Sequence, residues 1–364
     1  MKDLIRALGL YFVFVSLISC NTQIELSVSF SNSELSYSGR VDKSFEDHAE
    51  FYWSGNAVSI NFEGSTVSAL LQDEFGKNYY YVLLDGDTLN VINVSTEKKS
   101  YELVTGLSKG KHTIELYRRT DLGEGKTSFY GFSVEGKNAK VLPKSVEKKR
   151  SIEFYGDSIS TGYAVDDQSG NDSGESQFAN NYLAYSSITA RYFDADFRCI
   201  CKAGIGIMIS WFPYIMPDVY DNMNPLDSTS QWDFSSHHPD IVVVNLFQND
   251  SWLVNRPERE EFKKNFGDTP PTDSFIVKAY QSFLSDIRQK YPDAHIIGAL
   301  GSMDATIEGS IWPGYIQSAI DNLNDDKMYS HFMSYKNSKG HPNREEQQIM
   351  ANSLINFIEK NIEW

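Results

Sequence analysis

Cysteine is scarce in this chain: Cys20, Cys199 and Cys201 are the three in 364 residues. Three cysteines cannot build a disulfide framework, which needs several pairs. Cys199 and Cys201 stand two apart in a predicted strand, so they point to the same face and are interpreted as small core side chains. Two thiolates are too few ligands for a zinc site. The sequence therefore predicts no disulfide scaffold, no metal and no cofactor.

Basic residues are also in deficit. The chain has 33 Lys and Arg against 49 Asp and Glu, a formal net charge of −16. A phosphate backbone would be repelled by such a surface, which excludes nucleic acid as a partner. The charge balance favours a neutral or weakly charged substrate.

Long apolar runs are missing except near the start of the chain. There, Lys2 and Arg6 precede an apolar run from Leu8 to Ile18 that ends in Leu17-Ile18-Ser19-Cys20. The run is too short to span a bilayer and has the layout of a secretory signal. Its ending resembles a bacterial lipobox, which predicts a lipoprotein signal peptide over residues 1–20 and lipid on Cys20. We expect a secreted protein, anchored by this lipid alone to the outer membrane or cell surface; the alternative is an ordinary signal peptide.

What is present is a globular composition, with 41% hydrophobic and 13% aromatic residues. The length predicts two domains. Residues 22–142 read as short strands, because segments such as 58–63 alternate apolar and polar residues and Asp85-Gly86-Asp87 is a strong turn signal. The pattern predicts a β-sandwich, most simply a jelly roll.

The periodicity changes after a basic, proline-bearing stretch at residues 143–150, which is interpreted as a linker. Residues 151–364 alternate strands with helices. The apolar run 241–246 fits a strand buried on both faces, and apolar residues over 178–192 recur at helical spacing. Asn343 and Glu346 form a capping-box pattern before the last helix. The prediction is an α/β domain with a doubly wound, flavodoxin-like parallel sheet.

Polar residues follow several of these predicted strands, where ligands bind in such sheets. Ser158 follows Gly156-Asp157 and is the candidate nucleophile, with His341 as its general base. An oxyanion needs donors already aimed at it. Ser158 N–H, the N–H of Gly204 or Gly206, and the Asn249 amide are the candidates. The four stretches together point to acyl transfer.

These stretches resemble the conserved blocks of the SGNH/GDSL hydrolases. The matching segments are residues 152–163 (IEFYGDSISTGY), 203–206 (AGIG), 245–250 (NLFQND) and His341-Pro342. The chain is most similar to carbohydrate esterase family 2, through residues 109–120 (KGKHTIELYRRT) and 291–303 (YPDAHIIGALGSM). The resemblance covers nearly all of residues 30–362. It implies a jelly roll before an SGNH domain, and removal of O-acetyl groups from plant cell-wall polysaccharides such as xylan or mannan, often at the sugar 6-hydroxyl.

The sequence departs from the family pattern at three places. Phe247 and Gln248 stand where a glycine and a threonine are usual, which predicts a narrower pocket or a shifted turn. No acid stands just before His341, where residues 337–340 read Asn-Ser-Lys-Gly. The base is then oriented by a backbone carbonyl, by a distant acid or by no group at all. The resemblance allows for the loss of the acid, because some family members work with a Ser-His dyad. Asn343 replaces the commoner serine after His341-Pro342.

Each candidate has a structural alternative. Ser158 could be a helix N-cap and Asn249 a turn residue, while Asp157 is interpreted as a turn partner. Trp252 is a candidate substrate-binding platform or an ordinary rim residue, with Trp211 and Trp312 as further candidates. The other histidines that could serve as base are His237, His238, His295 and His331.

The sequence thus predicts a serine esterase whose partner is an acetylated polysaccharide or oligosaccharide. One alternative is a non-catalytic carbohydrate-binding protein on the same scaffold, motivated by Phe247 and the missing acid. Another is a lipid or thioester hydrolase, and in a third the jelly roll is itself the main polysaccharide-binding module. Nothing in the sequence sets the oligomeric state.

Overall fold

The computed structural model describes residues 23–364, so the predicted signal segment and Cys20 lie outside the described residues. Within that range, no helix combines the length and the apolar character that a membrane span requires.

The N-terminal β region, residues 23–142, forms two antiparallel sheets. Its strands are β1 (Ile24–Ser29), β2 (Ser36–Ser38), β3 (Val41–Asp42), β4 (Ala49–Phe51), β5 (Ala57–Glu63), β6 (Thr66–Asp73), β7 (Tyr79–Leu84), β8 (Asp87–Asn93), β9 (Lys99–Val104), β10 (His112–Arg118), β11 (Thr127–Gly136) and β12 (Lys140–Val141). One sheet has the order β3-β4-β11-β6-β9, with β1 also on β11. The other has the order β12-β5-β10-β7-β8, with β2 also on β5.

A single apolar core lies between these two sheets. Val58, Ile60 and Phe62 of β5 point inward and are buried, whereas Ser59 and Asn61 between them are partly exposed. Val67, Ala69 and Leu71 of β6 reach the same core from the other sheet. The alternation read from the sequence is therefore the side-chain period of two half-buried sheets.

Residues 150–364 form a parallel sheet with helices on both faces. The elements are β13 (Arg150–Gly156), α1 (Ser158–Thr161), α2 (Tyr185–Tyr192), β14 (Ala195–Cys201), α3 (Met216–Val219), β15 (Ile241–Asn245), α4 (Gln248–Leu253), α5 (Glu260–Phe266), α6 (Asp273–Lys290), β16 (His295–Leu300), α7 (Trp312–Leu323), β17 (Met328–Phe332) and α8 (Arg344–Asn361). The strand order is β14-β13-β15-β16-β17, and every pairing is parallel. This order is the flavodoxin-like one, which confirms the predicted α/β class.

The central strand β15 shows why its sequence lacks alternation. Val242 and Val244 belong to the core under α6 and α7, and Ile241 and Val243 belong to the core under α2 and α8. Both faces of the strand are covered, so both sets of side chains must be apolar.

The predicted helix over 178–192 is wrong in its first half. Only Tyr185–Tyr192 is α-helical, and residues 176–178 and 181–183 are short 3-10 turns. Asn180 N–H donates to Gly162 O and Asn181 N–H to Arg119 O, so these groups bond other segments instead of a helical ladder. Tertiary hydrogen bonds override the helical spacing of the apolar residues.

The two regions share a buried interface. Residues 142–149 contain no helix or strand, as expected for a connection. Arg40, which precedes β3, forms an ion pair of 3.0 Å with Glu153 of β13, and both side chains are 0% exposed. Tyr117 of β10 donates a 2.7 Å hydrogen bond to Asn181. The N-terminal β region is therefore part of the structural frame of the C-terminal half.

Candidate active site

Ser158 lies at the carboxyl end of β13, on the first turn of α1. Asp157 caps this helix, since its carboxylate accepts the Ile159 N–H at 3.0 Å. A Cβ on Gly156 would lie 2.2 Å from Ser160 Oγ, so the strand can turn this tightly only at glycine. The local sequence thus aims the Ser158 hydroxyl out of the sheet edge.

His341 lies just before α8 and meets Ser158 from the far end of the sequence. Its Nε2 is 2.8 Å from Ser158 Oγ. The Asn343 side chain accepts the N–H groups of Glu345 and Glu346, and the Glu346 carboxylate accepts Asn343 N–H at 2.9 Å. The predicted capping box is confirmed, and it fixes where the helix begins relative to the imidazole. The Tyr163 ring, 4.7 Å from the imidazole centroid, packs against the base.

A carboxylate that sequence reasoning missed contacts His341 from its other side. Asp172 Oδ2 is 2.8 Å from His341 Nδ1. The acid is distant in sequence, 169 positions before the histidine. The available signals were the acid-rich loop 166–172 and the glycine before His341, but neither reveals the contact by itself.

The two glycines of the second block differ in their N–H groups. Gly206 N–H donates to Ser210 Oγ at 3.0 Å and is engaged within the protein. The N–H groups of Gly204 and Ser158 have no acceptor within residues 23–364. Gly204 has φ +84°, a left-handed conformation that glycine adopts without strain. Of the two glycines, Gly204 has the donor that a ligand could use.

Asn249, the second residue of α4, is buried beside this loop. Its Oδ1 accepts the Trp211 indole N–H at 2.9 Å, which fixes the orientation of the amide because indole is only a donor. Its Nδ2 donates to Ile205 O at 2.9 Å and, over a longer 3.3 Å, to Asp157 Oδ2.

Two buried carboxylates belong to this part of the site: Asp157, which contacts the Asn249 amide, and Asp250, the next residue along α4. Burial raises the pKa of Asp157 to about 7, and the negative charge of Asp250 adds to the shift. Burial also raises the pKa of Asp250 to about 6, although the N–H groups of Met208, Ile207 and Ile209 oppose it. Because its carboxylate accepts hydrogen bonds from these three N–H groups, Asp250 holds the loop after Gly206 in its conformation.

The other histidines lie elsewhere. His331 Nε2 is 3.0 Å from Ser353 Oγ, His295 Nδ1 is 3.0 Å from the Tyr329 hydroxyl, and His237 Nε2 is 3.0 Å from Ser151 Oγ. Of the histidines in residues 23–364, His341 is the one hydrogen-bonded to Ser158.

The three candidate tryptophans have different surroundings. Trp252 is half-buried, and its indole donates to Asp304 at 3.1 Å, a contact between neighbouring surface segments. Trp312 is buried against Phe247 and Tyr315 and belongs to the core. Trp211 is 37% exposed, and its indole N–H donates to Asn249. Its side chain also lies next to Gly204, 3.3 Å from the position that a Cβ on this glycine would take. Among the three, Trp211 is the one in direct contact with a candidate oxyanion donor.

Of the two expectations for Phe247, a narrower pocket or a shifted turn, the narrower pocket is wrong. Its ring is 0% exposed and packs 4.8 Å from Tyr280 and 5.1 Å from Trp312, on the core side of the turn. Its backbone has φ +93°, a left-handed conformation that favours glycine. Phenylalanine at this turn therefore carries backbone strain, and its ring stabilises the core.

We predict that Phe247→Gly is destabilised by about 2–4 kcal/mol. The loss of a buried ring costs roughly 3–5 kcal/mol, and relief of the strain returns about 1 kcal/mol or more. Phe247→Ala is the matched control: it loses the ring and keeps the strain, so its urea midpoint should lie below that of the glycine variant. An alanine variant as stable as the glycine variant would show that the turn is not strained.

A cavity of about 190 Å³ opens where the N-terminal β region meets the second-block loop. Its walls combine charged side chains with apolar surface, and they include Asp121, Glu124, Tyr163, Glu175, Lys202 and Ala203. Ala203 precedes Gly204 and Tyr163 packs on His341, so the cavity adjoins the candidate catalytic residues. Residues 23–364 hold no cluster of three or more His, Cys, Asp or Glu arranged for a metal ion.

Comparison with known proteins agrees with this geometry. A family model described as carbohydrate esterase 2 N-terminal matches residues 37–144. A solved structure of a family two carbohydrate esterase from Clostridium thermocellum, in complex with cellohexaose, superposes with a TM-score of 0.79. The two are 30% identical over 90% of this chain and 98% of that one. The chain belongs to carbohydrate esterase family 2. It is accordingly a carboxylic ester hydrolase.

Two curated relatives extend the comparison. The chain is 31% identical to a cellulase/esterase, CelE, of Acetivibrio thermocellus, over 92% of its own length and 40% of the relative. It is 22% identical to an acetylxylan esterase / glucomannan deacetylase of Cellvibrio japonicus, over 98% of its own length and 97% of the relative. The chain thus spans less than half of the first relative and nearly all of the second.

Proposed function

We propose that this family 2 esterase removes O-acetyl groups from polysaccharides or oligosaccharides by a Ser158-His341 mechanism. The observation that carries the proposal is the 2.8 Å contact between Ser158 Oγ and His341 Nε2, beside N–H groups that lack an acceptor in residues 23–364. A serine hydroxyl becomes a nucleophile when a base lies within hydrogen-bond reach, and that condition is met.

In the first half of the reaction, Ser158 Oγ attacks the acetyl carbonyl carbon while His341 Nε2 takes the hydroxyl proton. The C–O bond to the sugar then breaks, and the imidazolium returns the proton to the sugar oxygen. In the second half, water attacks the acetyl-enzyme, His341 takes a proton from it, and acetate leaves as Ser158 regains its hydrogen.

The oxyanion is held by the N–H groups of Ser158 and Gly204 and by the Asn249 amide. Asn249 Nδ2 has one firm acceptor, Ile205 O at 2.9 Å, whereas its 3.3 Å contact to Asp157 is one a developing oxyanion can displace. Gly206 does not bind the oxyanion, because its N–H already donates to Ser210. It allows the close approach of the loop backbone, since a Cβ on this residue would lie 2.1 Å from Ile209 O.

The sugar carrying the acetyl group is proposed to lie over Trp211. The indole is partly exposed, and the Arg259 guanidinium lies 4.7 Å from the ring centroid. Aromatic rings offer a flat apolar surface to the C–H face of a pyranose. The adjoining cavity offers Lys202 as a donor and acidic side chains as acceptors, which suits the hydroxyl groups of a sugar ring.

We predict that Trp211→Phe lowers kcat about tenfold, because the variant keeps a ring but loses the N–H that fixes the Asn249 amide. Trp211→Ala should in addition raise KM for an oligosaccharide, but not for a small acetyl ester. Trp364→Phe, which alters a tryptophan stacked on Arg150 at the opposite end of β13, serves as the control. Equal kcat values in Trp211→Phe and wild type would contradict the proposed link to Asn249.

The experiment for the function as a whole is acetate release from acetylated xylan, acetylated glucomannan and acetylated chito-oligomers, with Ser158→Ala in parallel. Acetate released by wild type and not by the variant supports the proposal. Binding without release would favour a carbohydrate-binding protein. A chain-length series of esters that peaks beyond acetyl would favour a lipid or thioester hydrolase.

The N-terminal β region is proposed to be a jelly roll. The strand orders β4-β11-β6-β9 and β5-β10-β7-β8 support this, because the chain passes repeatedly from one sheet to the other and the sheet partners other than β7 and β8 are not consecutive strands.

Cys20 is proposed to carry the lipid that holds the protein on the bacterial envelope, from the lipobox-like sequence before it. Labelling with a fatty-acid analogue in a bacterial host should mark the full chain and not Cys20→Ser. Equal labelling of both would refute lipidation at this residue.

A further inference from the structure

We propose that Asp172 is the carboxylate that positions His341, and that the N-terminal β region holds the loop carrying Asp172 in place through Arg119. This inference rests on the Ser158-His341 mechanism proposed above. It concerns the loop between α1 and α2, residues 162–184, which contributes no residue to the matched sequence blocks beyond Tyr163.

The Asp172 carboxylate is bound to His341 through both the side chain and the backbone. Its Oδ2 lies 2.8 Å from Nδ1, and the His341 backbone N–H donates to Oδ1 at 2.9 Å and to Oδ2 at 3.0 Å. A carboxylate only accepts, so it selects the tautomer with hydrogen on Nδ1. Nε2 is then left as the acceptor that faces Ser158 Oγ at 2.8 Å. Both contacts are those required of a general base.

The residue before the base makes room for this acid. A Cβ on Gly340 would lie 2.8 Å from Asp172 Oδ1 and 3.1 Å from its Cγ, and Gly340 has φ +68°. Asp172 itself has φ +49°, a left-handed conformation that is uncommon for residues other than glycine. Backbone strain of this kind persists only where the surroundings enforce it. The approach of Asp172 thus depends on a glycine at position 340.

The electrostatics agree with the geometry. Burial alone would raise the pKa of Asp172, but the hydrogen bonds from His341 outweigh it and hold the pKa below its ordinary value of 3.8. Lys336 also favours the charged form. Asp172 therefore carries its negative charge at neutral pH.

The loop is organised within itself by Asp167. Its Oδ1 accepts Ser169 N–H at 2.9 Å and the Ser169 hydroxyl at 2.6 Å, and its Oδ2 accepts Ser173 N–H at 3.0 Å. These bonds fold the chain on either side of Asp172 around one carboxylate.

The N-terminal β region holds both ends of the loop in place. Arg119, directly after β10, donates to Asp166 Oδ2 at 2.7 Å and to the carbonyl oxygens of Gln177 and Ala179 at 3.2 and 3.1 Å. Arg344, three residues after His341, donates to the other Asp166 oxygen at 2.7 Å. Arg119 therefore joins the two sides of the loop, and Asp166 ties it to the first turn of α8.

The first test is Asp172→Asn. An amide puts an NH2 donor in place of one carboxylate oxygen: facing Nδ1 it favours the wrong tautomer, and facing the His341 backbone N–H it sets donor against donor. We expect kcat to fall by about 10²–10⁴-fold with little change in KM. The ascending limb of the kcat–pH profile should move to lower pH, because removal of a neighbouring carboxylate destabilises the imidazolium. Glu345→Gln is the matched control, since it removes an exposed carboxylate near His341 that is not hydrogen-bonded to Asp172.

The second test is a double-mutant cycle with Asp166→Asn, which removes the carboxylate that Arg119 and Arg344 share. We expect kcat to fall about tenfold in the wild-type background, and by much less when Asp172 is already asparagine. Thermal midpoints are recorded for all variants. An equal fall in both backgrounds would overturn the anchoring role.

Failure of this inference can be told apart from failure of the function. If Ser158→Ala is inactive but Asp172→Asn keeps the wild-type kcat and pH profile, the positioning role is refuted and the esterase mechanism stands. If Ser158→Ala is itself active, the mechanism fails and Asp172 loses its proposed part.

Discussion

Replacement of Ser158 by alanine is expected to lower kcat for acetyl-ester hydrolysis by about 10⁶-fold, with His341→Ala falling about as far. The two side chains act as one unit across 2.8 Å, so once one is lost the other has nothing to activate or deprotonate. The double variant should therefore be no slower than either single one. Rates are measured as acetate released from a small acetyl ester, with thermal midpoints to show that the fold is kept.

A second Ser-His pair in the same chain provides the control. Ser353 Oγ lies 3.0 Å from His331 Nε2, close to the separation in the candidate site. Burial lowers the pKa of His331 to about 4, so its imidazole is neutral, but the pair lies on α8 and β17, away from Ser158 and Gly204. Ser353→Ala should keep wild-type activity. Activity retained by Ser158→Ala would refute the mechanism, and activity lost in Ser353→Ala would show that the assay reports stability.

Replacement of Arg40 by alanine is expected to destabilise the fold by about 3–5 kcal/mol at pH 7, because it leaves Glu153 buried without its countercharge. Glu153 is fully buried, and Tyr291 is hydrogen-bonded to the same carboxylate oxygen at 3.0 Å. Burial acts to raise the pKa of Glu153, yet Arg40, with help from Arg198 and His237, holds it below its ordinary value of 4.5.

The sign of the pH dependence follows from that direction. A carboxyl group with a lowered folded-state pKa contributes stability above its unfolded pKa, and that stability is lost as the pH falls through the folded value. The gap between wild type and Arg40→Ala should therefore be widest near pH 7 and shrink towards pH 4, where Glu153 in the variant takes up a proton. Urea midpoints at both pH values measure this gap.

The matched variant for Arg40 is the double substitution Arg40→Met with Glu153→Gln, which removes both charges together. It should recover a large part of the lost stability and show no pH-dependent gap, since no unpaired charge remains. A gap that stays constant with pH in Arg40→Ala would mean that lost packing, and not the charge of Glu153, causes the destabilisation.

The sequence patterns that predicted structure correctly are local ones. Alternation at β5 and the unbroken apolar run at β15 each depend on which faces of a strand are covered, and the Asn343-Glu346 box depends on one helical turn. Prediction failed where distant segments intervene. Residues 178–184 have helical spacing, yet bonds from Asn180 and Asn181 to other segments break the helix. Phe247 has a left-handed backbone although it is not glycine, and its ring packs in the core against Tyr280.

By itself the sequence determined the α/β class, the family, and the set of residues at the strand ends, because each depends on neighbours within a few positions. Only the tertiary structure decided which groups meet. It brought His341 to Ser158 and supplied Asp172 from a loop 169 positions before the base, held by an arginine of the N-terminal β region. The physical reason is that a carboxylate from any segment can orient an imidazole if the two groups come into contact. Packing between the two regions decides which segment makes that contact, and spacing along the chain does not.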